Sequence, residues 1–175
     1  MDALRRNFFD LFSLPATFEL DAAALDSAWR ALQGAVHPDR HAGAPESQRR
    51  MAMQMAARVN EAVRTLRDPC RRAEYLCALN GVSIEAESNT AMPGDFLVQQ
   101  MQWREELDEA RQAADSQALE ALGVALRSER DALLARIGEA IDARADYESA
   151  AGLVRQLMFL DRFGAGIDAA EAADG

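Results

Sequence analysis

Residues 25–66 read LDSAWRALQGAVHPDRHAGAPESQRRMAMQMAARVNEAVRTL, and two halves of that stretch carry the same pattern. Leu25, Trp29, Leu32 and Val36 recur at offsets of four, three and four, the spacing of one helix face. Met51, Met55, Val59, Ala62, Val63 and Leu66 form a second such stripe. Between them stands Pro38, which cannot sit inside a helix because it lacks the N–H and its ring strikes the preceding turn. It also pushes His37 out of the α region. The stretch therefore predicts a helical hairpin with His37-Pro38-Asp39 at its tip, exposed and held by the arms on either side. A rigidly supported polar trio in that position suits docking better than catalysis.

The punctuation around the hairpin agrees. Asp21 can cap the first arm, and Pro45-Glu46 is a good opening pair for the second. Asp68-Pro69 breaks the helix and restarts it, and Asn80-Gly81 is a stop signal. Upstream, Phe8, Phe9, Leu11 and Phe12 predict a short helix ended by Leu14-Pro15. Phe8, Phe12, Trp29 and Tyr75 read as core. Residues 81–94 change character: Ser83, Glu85, Glu87, Ser88, Asn89, Thr90, Pro93 and Gly94 read as a linker. Beyond it, helices are expected over about Asp95–Ala113, Ser116–Ala143 and Tyr147–Phe163. Short connections make these an antiparallel three-helix bundle. The fold class is all-α, with a hairpin domain over 1–80, the linker over 81–94, the bundle over 95–164 and a frayed Ala/Gly/Asp-rich tail over 165–175.

Composition narrows the function. The chain has 175 residues, 49% hydrophobic and 27% charged, which are the values of a globular protein. No run approaches the ~20 apolar residues of a membrane span. No apolar segment follows Met1-Asp2-Ala3-Leu4-Arg5-Arg6, so no signal peptide is visible and a cytoplasmic location is expected. Cys70 and Cys77 lie seven apart, two helical turns, too far for a bridge within one helix. They read as buried thiols in a reducing compartment. Residues 1–80 hold 11 Arg against 10 Asp and Glu, whereas residues 81–175 hold 8 Arg against 19. The acidic half should repel nucleic acid, and the two halves should meet different partners.

The candidate chemistry is thin. His37 and His41 are four apart, but Pro38 excludes the regular helix that would turn that spacing into a zinc pair, and no third ligand is near in sequence. There is no supported Ser/His/Asp set and no phosphate-cradling Gly loop. No enzyme, metal or cofactor is expected. An enzyme built on His37, His41 and Asp39 would instead carry a bound metal or turn over without partners.

The helix opening at Asp95 is more telling. At ~100° per residue, Phe96, Trp103, Leu107 and Ala110 share a narrow sector. Leu97, Val98, Met101, Glu105 and Glu109 fall on the other side. A helix with one packing partner needs only one apolar stripe. In the last helix Leu153, Leu157 and Leu160 mark the core, and Phe159 points away from it. An apolar patch with an acidic rim suits a protein partner. The alternative is that Leu97, Val98 and Phe159 pack against the first domain.

The hairpin with His37-Pro38-Asp39, followed by Asn60-Glu61-Ala62, Leu66, Asp68-Pro69 and Arg72-Ala73-Glu74-Tyr75, resembles a J-domain. Further stretches resemble one branch, the HscB family of iron–sulfur cluster assembly: Phe9-x-Leu11-Phe12-x-Leu14-Pro15, Arg72 to Leu76, Arg104-Glu105-Glu106-Leu107-Asp108-Glu109 and Phe159-Leu160-Asp161. The resemblance spans nearly the whole chain. It implies a co-chaperone that stimulates the ATPase of a DnaK-type chaperone, HscA, without being the ATPase itself. Its implied chaperone-binding residues are His37, Pro38, Asp39, Arg40 and Arg30. It also implies a bundle that holds the scaffold protein, IscU, through Leu97, Val98, Met101, Glu105, Glu109 and Phe159. Gln102 departs from the acidic residue usual there. Gly34 occupies an often basic position, Val36 replaces an aromatic residue and Arg40 replaces lysine. Electrostatic steering towards the chaperone should therefore be weaker than in more basic relatives. A J-domain co-chaperone serving another client would keep the His37-Pro38-Asp39 requirement but not the scaffold.

Overall fold

The computed structural model describes residues 6–36, 43, 45–84 and 92–174. Among the described residues there are seven α-helices and no strand: α1 Phe8–Phe12, α2 Ala22–Val36, α3 Glu46–Arg67, α4 Pro69–Leu79, α5 Gly94–Ala113, α6 Ser116–Gly138 and α7 Tyr147–Asp174. A π-helical turn, Glu139–Ala143, follows α6. The chain divides into two compact units, Met1–Leu76 and Cys77–Gly175, with the division inside α4, ahead of the stretch expected as a linker.

In the first unit, α1 packs against α2 and α3, and α2 against α3. Asp21 starts α2, its Oδ1 accepting from the Ala23 and Ala24 N–H groups at 2.9 and 3.1 Å. The hairpin register is set by Arg67 of α3, which donates to Asp26 of α2 at 2.6 Å while its guanidinium lies 4.9 Å from the Trp29 ring centroid. Leu25, Val59, Ala62 and Leu66 are all within 1% of full burial. Tyr75 ties α1 down: its hydroxyl accepts from the Phe8 N–H at 2.9 Å and its ring stacks on Phe8 at 4.5 Å. Asp68-Pro69 acts as read, with Asp68 extended between α3 and α4. Gly81 takes φ +79° just past the end of α4, the left-handed turn that closes a helix.

The expected α3 stripe is shifted at its start. Met51 is 49% exposed, and Ala52 beside it is 8% exposed. The reason is the angle around the helix. At ~100° per residue Ala52, seven residues before Val59, falls within ~20° of that buried side chain, whereas Met51 falls ~80° away.

In the second unit, α5, α6 and α7 form an up-down-up bundle. Asp115 caps α6 through its Oδ1, which accepts from the Ala118 N–H at 3.0 Å, and Asp146 does the same for α7 through the Ser149 N–H at 3.0 Å. Ala114 and Ala145 supply the left-handed residues of the two turns. Leu119, Leu133, Ile137, Val154 and Leu157 are fully buried at the centre. The middle helix, expected to run unbroken to Ala143, ends as α6 at Gly138 and closes in the π turn. The tail expected to fray from residue 165 continues α7 instead. Ile167 is 2% exposed and the Gly166 carbonyl accepts from Arg111 of α5 at 2.8 Å, so the bundle holds that turn in place.

Candidate protein-docking surfaces

α5 has two working faces. Phe96, Trp103, Leu107 and Ala110 are 4–7% exposed and face the bundle. Leu97, Val98 and Met101 are 44%, 57% and 65% exposed, an apolar patch on the first two turns. Glu105, Glu106, Asp108 and Glu109 continue the helix as exposed carboxylates, with Gln102 exposed between the patch and the acids. The two-sided reading of α5 therefore matches the burial.

Phe159 is neither free of the core nor inside it. It is half-buried on α7, edge-to-face with Phe96 at 5.9 Å and 82° and stacked on Phe163 at 5.9 Å and 17°. Phe163 lies in turn 6.3 Å from Trp103. The rings hold Phe159 in one orientation, each such pair contributing ~0.5–1.5 kcal/mol beyond area. The Arg104 guanidinium lies over the Phe159 ring, 6.0 Å from its centroid. Sequence reasoning missed this role of Arg104, because nothing in the spacing of α5 reveals which ring of α7 it will meet.

Glu109 also borders an open groove of ≈ 510 Å³ between α5 and α6, walled by Ala110, Ala113, Ala121 and Leu122 and rimmed by Glu106. It extends the acidic end of the surface.

On the first unit, His37, Pro38, Asp39, Arg40 and His41 lie outside the described residues, in the segment joining α2 to α3. Arg30 is exposed on α2. Exposed basic side chains also stand at the start of α3, Arg49 and Arg50, the latter paired with Glu46 at 2.7 Å. Neither is among the chaperone-binding residues that the family resemblance implies. Among the described residues no three His, Cys, Asp or Glu side chains converge as a metal site would require, and no helix is long and apolar enough to cross a membrane.

A co-chaperone protein HscB homolog of Burkholderia multivorans (strain ATCC 17616 / 249) is 56% identical over 162 residues, covering 93% of this chain and 92% of the relative. One from Burkholderia mallei (strain SAVP1) is 53% identical over 169 residues, covering 97% and 96%. The chain belongs to the HscB co-chaperone family. The family model described as the HSCB C-terminal oligomerisation domain matches residues 92–168, which hold α5, α6 and most of α7. The solved HscB chaperone of Vibrio cholerae superposes with a TM-score of 0.86 at 37% identity, covering 97% of this chain and all of that one. Human HscB shares the fold, with a TM-score of 0.87 at 24% identity over 93% of this chain and 81% of that one. The architecture is thus that of HscB, a J-domain followed by a C-terminal helical domain, and HscB proteins are co-chaperones rather than enzymes.

Proposed function

We propose that the chain binds the iron–sulfur scaffold protein IscU on α5 and α7 and delivers it to the DnaK-type chaperone HscA. The J-domain over residues 1–80 engages the chaperone through His37, Pro38 and Asp39, with Arg40 beside them and Arg30 on α2. The bundle over 95–164 takes the scaffold through Leu97, Val98, Met101, Glu105, Glu109 and Phe159. The observation that carries the reading is the unpartnered face of α5, where three exposed apolar side chains precede a row of carboxylates. Apolar anchors supply affinity once desolvated, and the carboxylates orient a basic partner surface. The buried thiols of Cys70 and Cys77 fit a reducing compartment, and we place the protein in the cytoplasm.

Neither role moves a proton. His37 and Asp39 act by docking geometry, and bond-breaking stays with the chaperone's ATPase. Scaffold and J-domain drive turnover together because each favours a chaperone state that the other also favours.

Combining Leu97→Ala with Phe159→Ala tests the scaffold site. Titration calorimetry should give an affinity at least ~30-fold weaker, as expected on losing two interface anchors, while circular dichroism stays that of a folded helical protein. Wild-type affinity in the double variant would remove the patch from the interface.

A further inference from the structure

The α5 patch ends in a methionine, its most exposed side chain, and the chemistry of that residue differs from that of its neighbours. Of the seven methionines, Met51, Met53 and Met101 are the well-exposed ones among those described, at 49%, 63% and 65%. Met55, Met92 and Met158 are half-buried. The sulfur of Met92 is further engaged by the Gln100 side-chain amide at 3.1 Å. Met101 alone combines high exposure with a place in an apolar cluster, one turn after Leu97 and Val98.

We propose that Met101 is a modification site, where oxidation of its thioether to the sulfoxide turns the α5 patch polar and releases the scaffold. The proposal rests on the reading of this patch as the scaffold site. The oxidant is hydrogen peroxide or another two-electron peroxide. The peroxide O–O bond breaks and a sulfur–oxygen bond forms. The sulfur is oxidised by two electrons, and the second peroxide oxygen leaves as water from hydrogen peroxide or as the alcohol from an alkyl peroxide. Sulfoxide reductases reverse the step, so the modification is a switch rather than terminal damage.

The consequence follows from the surroundings. A sulfoxide oxygen is a strong acceptor, and burying it against an apolar partner without a donor is costly. The previous turn offers only Leu97 and Val98. The next turn presents Glu105, which cannot donate when ionised, and Arg104, whose guanidinium lies over Phe159. A sulfoxide that captures Arg104 takes the cation off that ring. Either outcome alters the face the partner must match.

The experiment uses the full chain and IscU as the probe. After timed exposure to hydrogen peroxide, peptide mass spectrometry should find Met101 and Met53 oxidised ahead of Met92 and Met158. Bound IscU should slow oxidation of Met101 and leave Met51 and Met53 unchanged. Oxidised protein should bind IscU about tenfold more weakly, equivalent to ~1.4 kcal/mol. Methionine sulfoxide reductase should restore binding, Met101→Leu should show no drop from its own untreated affinity after the same treatment, and Met101→Gln should bind weakly without oxidant. Undiminished binding by oxidised wild-type protein, or equal loss in Met101→Leu, would overturn the proposal. Leu97→Ala, measured without oxidant, separates the two levels. Wild-type affinity there removes the patch reading itself, whereas weakened binding by Leu97→Ala alongside unaffected oxidised protein removes only the switch.

Discussion

Phe159 and Arg104 illustrate how much a single residue's role depends on a neighbour from another helix. The position of Phe159 off the core face of α7 is readable from periodicity. Its half-burial against Phe96 is not, because that depends on the azimuth at which α5 meets α7. Asp146 depends on no other helix, because it caps α7 from the residue just before it through the Ser149 N–H. Hydrogen bonds from the Ser149 side chain and backbone hold its pKa below the ordinary carboxylate value, with Arg144 adding a smaller effect in the same direction. A depressed folded-state pKa contributes stability above the unfolded value, ~3.9, and that contribution fades as pH falls through the folded value. Asp146→Ala should therefore unfold at lower urea than wild type at pH 7. The gap between the two should narrow as the pH is taken below ~3.9. A gap of constant size across that range would detach the cap from its charge.

At the scale of the element, α5 separates stability from recognition along one helix. Leu107 is 6% exposed in the bundle, so Leu107→Ala should cost ~2–5 kcal/mol, read from urea denaturation. Leu97, at 44% exposed, should change stability by no more than ~0.5 kcal/mol when truncated, so its effect should appear in binding alone. Comparable destabilisation by the two would mean that both faces serve packing. These faces were legible because α5 has core on one side only and its apolar residues sort by angle. The start of α3 misleads because a methionine outweighs an alanine in any count of apolar residues. Such a count selects Met51, yet Met51 lies ~80° around the helix from Val59 and Ala52 only ~20°. Small side chains such as Ala52 also carry little hydropathy signal even when buried.

Across the whole molecule, the division of charge noted in the sequence coincides with a division into two compact units. Each has its own core, so a lesion in one docking element should leave the other usable. His37→Gln should abolish stimulation of the chaperone's ATPase while scaffold affinity, measured by calorimetry, remains within twofold of wild type, about 0.4 kcal/mol. Stimulation that survives His37→Gln would withdraw the tripeptide from chaperone contact. The all-α class and the helix order were readable because proline, glycine and capping residues punctuate this chain clearly. The persistence of α7 beyond Phe163 was hidden, because Ile167 and the Arg111–Gly166 hydrogen bond act across helices.

The aromatic chain of the bundle also makes the molecule its own optical instrument. The sequence contains two tryptophans, Trp29 in the first unit and Trp103 in the second. Trp103 is 5% exposed and lies against Phe96 and Phe163, the two rings that also hold Phe159. A partner that shifts Phe159 perturbs the surroundings of that indole, while Trp29, beneath the Arg67 guanidinium, reports on the hairpin. Intrinsic emission from single-tryptophan variants thus gives each half of the adaptor a separate, label-free signal for the partner it meets.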